Sequence, residues 1–161
     1  MIPRQRDVSA LLAADLGARL PGAAPELLHS RGECLLRVEP ARLVDLARFL
    51  KEEPAWQFAY LANLSPVDWL GRVPRFEAVY HLRSLVFNYR LGLKVDVPDD
   101  TLSLPTLTGV WRAADWLERE AYDLFGIRFA GHPDLRRIMM PDDWEGHPYR
   151  RDYPLAGRGE A

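Results

Sequence analysis

The side chains best suited to chemistry lie in the last third of the chain. Imidazole and carboxylate groups are common metal ligands, and His132, Asp134 and His147 could bind a metal with Asp142, Asp143 and Asp152 nearby. Their spacing matches no ligand pattern such as HExxH or paired CxxC. A stand-alone metal-dependent hydrolase built on His132, Asp134 and His147 is therefore an alternative interpretation and not the leading one.

A second set of candidates is the carboxylates Glu118, Glu120 and Asp123, which could act as acids or bases. No nucleophile or pocket residue accompanies them in the pattern that an active site requires. The chain also lacks a Gly-rich phosphate loop and a G-x-S-x-G sequence. We therefore expect no catalytic, cofactor-binding or metal-binding residue in this chain.

Composition narrows the class of protein. The chain has 161 residues, which favours one domain, and a net charge of -2, which argues against nucleic acid as the main partner. Its one cysteine, Cys34, permits no internal disulfide and is expected in the core. No apolar run approaches the roughly 20 residues of a membrane-spanning helix, and no secretory signal is visible. The expectation is a soluble or peripheral protein.

The hydrophobic pattern predicts helix, two strands, helix, three strands, helix and an irregular tail. The first helix covers 7–20, with Asp7 as N-cap and Leu11 on the core face beside Leu12 and Leu16. Alternation predicts a strand over 56–65 whose inner face carries Trp56, Phe58, Tyr60, Ala62 and Leu64. Two short strands are predicted within 26–38, with a turn at 31–32. Two further strands run from Phe76 to Leu82 and from Tyr89 to Val97. The second helix runs from Pro40 to Pro54. This order indicates a two-layer α+β domain with helices on one face of a mostly antiparallel sheet.

The last helix, 113–126, contains charges in unexpected places. On a helical wheel Glu120 falls within the apolar arc beside Trp116, whereas Arg119 and Asp123 lie opposite as an i,i+4 pair. A carboxylate on a core face needs a partner. We therefore expect Glu120, with Glu118, to bind tail arginines and so hold the tail in place; the candidates are Arg136, Arg137, Arg150 and Arg151.

Beyond that helix the chain is rich in Gly, Pro and Asp and contains His132-Pro133 and His147-Pro148. Proline favours extended backbone at the preceding residue, so this segment is expected to wrap over a surface. Its apolar residues must be covered by this domain or by another protein: Ile138, Met139, Met140 and Trp144.

These residues also form an ordered series of motifs: ERE at 118–120, DLFGI at 123–127, GHPDLRRI at 131–138, GHP at 146–148 and RRDYPL at 150–155. The series resembles the C subunit of NADH-quinone oxidoreductase, the 30-kilodalton subunit family of respiratory complex I. The resemblance is specific from Leu117 to Leu155 and looser upstream. Tyr149 departs from it, since the family usually has Leu there. Within this resemblance two alternatives remain: the J subunit of the NAD(P)H-plastoquinone enzyme and the matching part of membrane-bound hydrogenases.

The resemblance implies an accessory scaffold subunit in the hydrophilic arm of a proton-translocating enzyme, peripheral to the bacterial inner membrane on its cytoplasmic side. It implies that FMN, iron–sulfur clusters, NADH and quinone belong to partner subunits. It implies a docking tail that packs along the 49-kilodalton (D) subunit, near the B and I subunits, with this chain separate from the 49-kilodalton one. The expected parts are a domain at 1–126, a docking tail at 127–155 and a disordered end at 156–161. The expected docking residues are Glu118, Arg119, Glu120, Asp123, His132, Arg136, Arg137, His147, Arg150, Arg151, Asp152 and Tyr153.

Overall fold

The computed structural model of the chain describes residues 5–19, 26–30 and 33–154. The elements run in the predicted order, with two short strands added. The helices are α1 (Gln5–Arg19), α2 (Leu43–Glu52, preceded by a 3-10 turn at Pro40–Arg42) and α3 (Ala114–Phe125). The strands are β1 (Glu26–Ser30), β2 (Glu33–Arg37), β3 (Tyr60–Asp68), β4 (Phe76–Ser84), β5 (Tyr89–Val97), β6 (Ser103–Pro105) and β7 (Arg128–Ala130).

Five strands form the main sheet in the order β1-β2-β5-β4-β3. Every neighbouring pair in it is antiparallel except β2 and β5, which run parallel. Strands β6 and β7 form a separate parallel pair. The predicted α+β class with a mostly antiparallel sheet is confirmed.

The helices and the inner face of the sheet share one hydrophobic core. In α1, Leu12 and Leu16 are fully buried, but Leu11 is exposed, so its predicted place on the core face is wrong. Asp7 lies inside α1 and is not its N-cap. Helix α2 buries the predicted residues Leu43, Leu46, Ala47 and Leu50, and Cys34 is buried as expected.

Strand β3 differs from its prediction in two ways: it starts later, at Tyr60, and its pairing with β4 is irregular. Trp56 and Phe58 are buried but precede the strand, whereas Tyr60 is exposed. The pairing with β4 shifts between Leu61 and Asn63, and a bulge of this kind moves the following side chains to the other face. The strand continues through Pro66, which the sequence places in a loop. Proline is tolerated there because β3 is an edge strand.

The β4–β5 hairpin agrees with its prediction. Leu91, Leu93, Val95 and Val97 of β5 are all buried. The opposite face of the sheet is charged: Glu77, also buried, accepts a 3.0 Å hydrogen bond from the Lys94 ammonium group. The turn lacks glycine, and Asn88 adopts the left-handed backbone conformation instead (φ 56°).

The chain leaves α3 through Gly126 and forms β7, whose Phe129 joins the core. This strand lies inside the segment that the sequence assigns to the docking tail. Regular structure therefore ends at Ala130. The described residues that follow, 131–154, are termed the C-terminal arm below; 155 and the predicted disordered end at 156–161 lie outside the described residues.

Candidate docking site

Helix α3 is buried on two sides. Its sheet side carries Ala114, Glu118 and Ala121, and the C-terminal arm covers Arg119 and Asp123 on the other side. Three charged side chains of one helix are thus buried: Glu118, Arg119 and Asp123. Each of them needs polar partners, because an unpaired buried charge costs several kcal/mol.

Asp123 is the residue around which the arm closes. Its Oδ2 accepts hydrogen bonds from three consecutive backbone N–H groups, those of Ile138 (3.0 Å), Met139 (2.7 Å) and Met140 (2.9 Å). Its Oδ1 accepts one from Arg137 Nη1 at 2.6 Å. Burial alone would raise the pKa of Asp123, but these hydrogen bonds outweigh it and lower the pKa below its usual value. The carboxylate is therefore held ionised as the anchor of the arm.

Arg119 binds the same part of the arm through backbone carbonyl groups. Its Nε and Nη2 donate to the backbone oxygens of Arg136 (3.3 Å) and Arg137 (3.4 Å). The guanidinium also lies over the Trp116 ring, 5.0 Å from its centre. The i,i+4 pair of Arg119 with Asp123 that the spacing indicated does not form, because both side chains bind the arm instead.

Glu118 is fully buried and joins α3 to the segment after β6. It accepts hydrogen bonds from the Thr106 hydroxyl (2.5 Å) and from the backbone N–H of Leu107 (2.7 Å). Burial raises its pKa to about 7, although both hydrogen bonds oppose the rise. Glu118 therefore binds the body of the domain, and the expectation that it binds a tail arginine is wrong.

Glu120 and Trp116 do not occupy the core face of α3 on which the sequence places them. Trp116 is 64% exposed. Glu120 is half-buried, and its carboxylate forms no hydrogen bond or ion pair with any residue that the structure describes. The helical wheel assumes that the apolar residues of a helix are the buried ones. In α3 the buried residues include Glu118 and Asp123. The role expected of Glu120 is performed by Asp123.

The arm also satisfies the carbonyl groups at the end of α3, which have no partner within the helix. His147 Nδ1 lies 2.9 Å from the oxygen of Asp123, the Tyr149 N–H donates to Leu124 (3.1 Å), and Arg150 Nε donates to Phe125 (2.7 Å). Burial lowers the pKa values of His147 and Arg150. Arg150 places its positive charge where a helix C-terminus favours a cation.

The end of the arm is fixed to the β3–β4 connection. The buried carboxylate of Asp68 accepts two hydrogen bonds from Arg75 (2.8 and 2.7 Å) and one from the backbone N–H of Arg151 (2.8 Å). Arg75 also binds the carboxylate of Asp152, at 2.6 Å from its Nη2. The hydrogen bond from Arg75 is the main cause that lowers the pKa of both carboxyl groups.

The remaining predicted docking residues are spread along the arm. His132 Nε2 lies 3.2 Å from the carbonyl oxygen of Asp115, Arg136 pairs with Asp134 at the surface, and the Tyr153 hydroxyl donates to the carbonyl of Glu145 (3.2 Å). The backbone of Arg151, not its side chain, makes the contact with Asp68. Sequence reasoning missed Asp68, Arg75 and Thr106, which no motif near the tail indicates.

The two histidines of the arm do not lie together at one site. His132 and His147 contact different carbonyl groups of α3. Within the described parts of the chain, no group of three or more His, Cys, Asp or Glu residues is placed to bind a metal ion. The same residues include no helix that is long and apolar enough to cross a bilayer.

The fold and the site define an α+β domain whose irregular C-terminal arm is held by buried charges on one helix. The family model for the 30 Kd subunit of respiratory-chain NADH dehydrogenase matches residues 36–159. The NADH-quinone oxidoreductase C subunit of Roseiflexus sp. (strain RS-1) is 52% identical over 140 residues, covering 87% of this chain and 80% of that one. A C-type subunit of the same enzyme from Rhizobium etli (strain CIAT 652) is 48% identical, covering 89% and 76%. The chain belongs to the 30-kilodalton subunit family of the respiratory-chain NADH dehydrogenase, as the resemblance in its motifs predicted.

Solved structures agree with this assignment. A trypsin-resistant fragment (1-134) of Nqo5 superimposes with a TM-score of 0.65 at 32% identity, covering 81% of this chain and 99% of the fragment. A chain of the membrane-bound sulfane sulfur reductase, an archaeal respiratory membrane complex, gives a TM-score of 0.75 at 25% identity, covering 92% and 86%.

Proposed function

We propose that this chain is an accessory subunit in the hydrophilic arm of a proton-translocating NADH-quinone oxidoreductase. It is peripheral to the bacterial inner membrane, on the cytoplasmic side. It holds neighbouring subunits in register and supplies no catalytic residue. NADH, FMN, the iron–sulfur clusters and quinone bind to partner subunits.

The observation that carries this proposal is the C-terminal arm. Its backbone is fixed by Asp123, Arg119 and Asp68, yet it presents large apolar side chains outward. Met139 is 57% exposed, Tyr149 is exposed, and Trp116 of α3 adjoins the arm through Arg119. An ordered segment with outward apolar and aromatic side chains is typical of a protein interface.

The neighbour proposed for the arm is the 49-kilodalton (D) subunit, with the B and I subunits close by. Five of the expected docking residues support this proposal, because their hydrogen bonds hold the arm against α3: Arg119, Asp123, Arg137, His147 and Arg150. These residues act by holding the arm in shape, while Met139, Tyr149 and Trp116 make the contact.

A pair of matched variants tests this proposal. Met139 and Leu11 are each 57% exposed, but Met139 lies on the arm and Leu11 on α1. A tagged copy carrying Met139→Glu, Leu11→Glu or neither is recovered from gently solubilised membranes of its own source. We expect the unchanged chain and Leu11→Glu to bring down a flavin- and iron–sulfur-containing assembly with NADH-quinone activity, and Met139→Glu to lose most of it. Recovery of the unchanged chain alone would contradict the proposal.

A second candidate is a subunit of a related membrane-bound redox complex that uses another electron donor or acceptor. The observation that favours this second candidate is the structural similarity to the sulfane sulfur reductase chain, which extends over 92% of this chain. The same experiment separates the two, because the recovered assembly is assayed for NADH oxidation. An assembly that contains iron–sulfur clusters but does not oxidise NADH would favour this second candidate.

A further inference from the structure

The turn between β4 and β5 presents two large aliphatic side chains to solvent. Leu85 is 71% exposed and Val86 is 67% exposed. Turns usually carry Gly, Pro, Asn, Asp or Ser at such positions. Exposed aliphatic side chains at a turn contribute nothing to the core of this domain, so their stabilising contact is expected with another molecule.

This turn is held rigidly. The Phe87 ring stacks on Tyr89 with centroids 5.4 Å apart and planes 19° apart, and Tyr89 contacts Trp56. The N–H of Phe87 donates to the Ser84 hydroxyl at 3.4 Å. Leu85 and Val86 therefore have a defined position before binding. Little conformational entropy of the turn would be lost when a partner binds.

Beside the turn, two arginines face each other on the outer face of the sheet. Arg83 and Arg90 are directly opposite in the β4–β5 pairing, and they alternate with Leu82 and Leu91, which lie in the core. Like charges opposite each other in a sheet are destabilising. The guanidinium group of Arg83 forms no hydrogen bond or ion pair with any described residue.

The arginines border a cavity of about 240 Å³ on this face. The other titratable residues at the cavity are Glu33, Cys34 and His81, so the two arginines outnumber the single carboxylate. At the other end of the same face the charges are already paired: Glu77 with Lys94, and Asp96 with Arg37. The unpaired charge of Arg83 thus lies beside the exposed turn, in a positively charged part of the face.

We propose that this end of the sheet is a second docking surface, which binds an acidic segment of a neighbouring polypeptide. A carboxylate of that segment would bind Arg83, since an arginine side chain can form two parallel hydrogen bonds with a carboxylate. An apolar residue of the segment would cover Leu85 and Val86. Charge complementarity and the exposed turn together determine the kind of partner.

This surface is distant from the end of the C-terminal arm. The arm is fixed near Phe76, at the start of β4, and the turn follows Ser84, at its end. A nine-residue strand spans about 27 Å at roughly 3.4 Å per residue. The chain would then contact two neighbours at opposite ends, which goes beyond docking through the arm alone.

Binding of a fluorescently labelled hexaglutamate peptide to the purified full chain tests the chemistry of the surface. The variant is Arg83→Gln, and Arg48→Gln, on an exposed site of α2, is the matched control. We expect Arg83→Gln to weaken binding about tenfold, with no change for Arg48→Gln. Equal or undetectable binding in the unchanged chain and Arg83→Gln would overturn the proposal. Charge-dependent binding to phosphatidylglycerol vesicles without binding to hexaglutamate would overturn it too, since it would assign the surface to a membrane.

Recovery of the assembly separates this inference from the proposed function. We expect a tagged Arg83→Glu chain to fold and to bring down less of the assembly than Arg48→Glu does. Unchanged recovery with Arg83→Glu, together with loss in Met139→Glu, would overturn the second surface and leave the docking function of the arm intact. If Arg83→Glu fails to fold, Arg83→Gln is used in the same comparison.

Discussion

Asp123 Oδ1 and Arg137 Nη1 lie 2.6 Å apart, joining the buried face of α3 to the C-terminal arm. The same carboxylate binds the three backbone N–H groups that follow Arg137. A segment without regular structure thereby acquires a defined path. Together with Arg119 and Asp68, this carboxylate holds the arm against the domain.

Replacing Asp123 by Asn should release the arm. The amide has one acceptor oxygen where four donors converge, and its NH2 group would face a donor. We expect the free energy of unfolding to fall by about 2–4 kcal/mol and trypsin to cleave faster after Arg136 and Arg137. Urea unfolding and timed proteolysis measure both effects. The control is Asp134→Asn, whose pair with Arg136 is exposed and should change stability little; equal proteolysis of the two variants would contradict the role of Asp123.

The buried carboxyl group of Glu118 predicts a pH dependence of stability. Burial raises its pKa from 4.5 to about 7, so between these values the folded chain retains a proton that the unfolded chain has released. The contribution of Glu118 is therefore complete below about pH 4.5 and is lost as the pH rises to about 7. The loss amounts to about 3 kcal/mol.

Glu118→Gln removes this titration while keeping an oxygen for the Leu107 N–H. We expect the variant to match the unchanged chain near pH 4.5 and to exceed it in stability by up to about 3 kcal/mol at pH 8. The lowered pKa of His147 has the opposite effect below pH 6.5, but it is present in both proteins and cancels in their difference. Urea unfolding at several pH values gives that difference, and a constant difference across the range would refute the prediction.

Asp68 should control the end of the arm specifically. Asp68→Asn weakens the two hydrogen bonds from the Arg75 guanidinium and the one from the Arg151 N–H. Hydrogen exchange at the Arg151 amide should therefore accelerate by about tenfold or more. Asp152→Asn is the comparison, because Asp152 binds the same Arg75 but does not accept from that amide. The prediction fails if the two variants exchange at the same rate at Arg151.

Gly126 is required at the junction of α3 and the following strand. Its φ is +78°, and a Cβ there would clash with Arg150 Nη2 and lie 2.6 Å from His147 Nε2. Gly126→Ala should therefore cost about 1–2 kcal/mol in backbone strain alone and also displace the arm. At Gly109 a Cβ would meet nothing within 4 Å, so Gly109→Ala should have a melting temperature close to that of the unchanged chain. Thermal unfolding of both variants decides this, and a normal melting temperature for Gly126→Ala would be inconsistent with the arm geometry.

Local patterns predicted the sheet well. Alternation along β5 identified Leu91, Leu93, Val95 and Val97, because a strand has a fixed period of two and one face of this sheet is buried. The same rule failed in β3, where the register shift between Leu61 and Asn63 interrupts the period. No residue type in that stretch marks the irregularity.

The site was harder to predict because its partners are distant along the chain. Arg75 and Asp152 are separated by 77 positions, and only the fold brings them together. The helical wheel for α3 assumes that apolar residues face inward, yet Trp116 is exposed while Glu118 and Asp123 are buried. Their burial depends on donors from Thr106 and from the arm, which the helix sequence does not contain.

If this chain organises the proposed complex without taking part in its chemistry, the activity of each assembled complex should not depend on the arm. In a strain whose own gene carries Asp123→Asn, membranes are assayed for NADH-quinone activity and for the amount of complex-bound flavin. We expect both to fall together, so that activity per flavin is unchanged. A fully assembled complex with normal flavin content and lost activity would contradict it and would place a catalytic function in this chain.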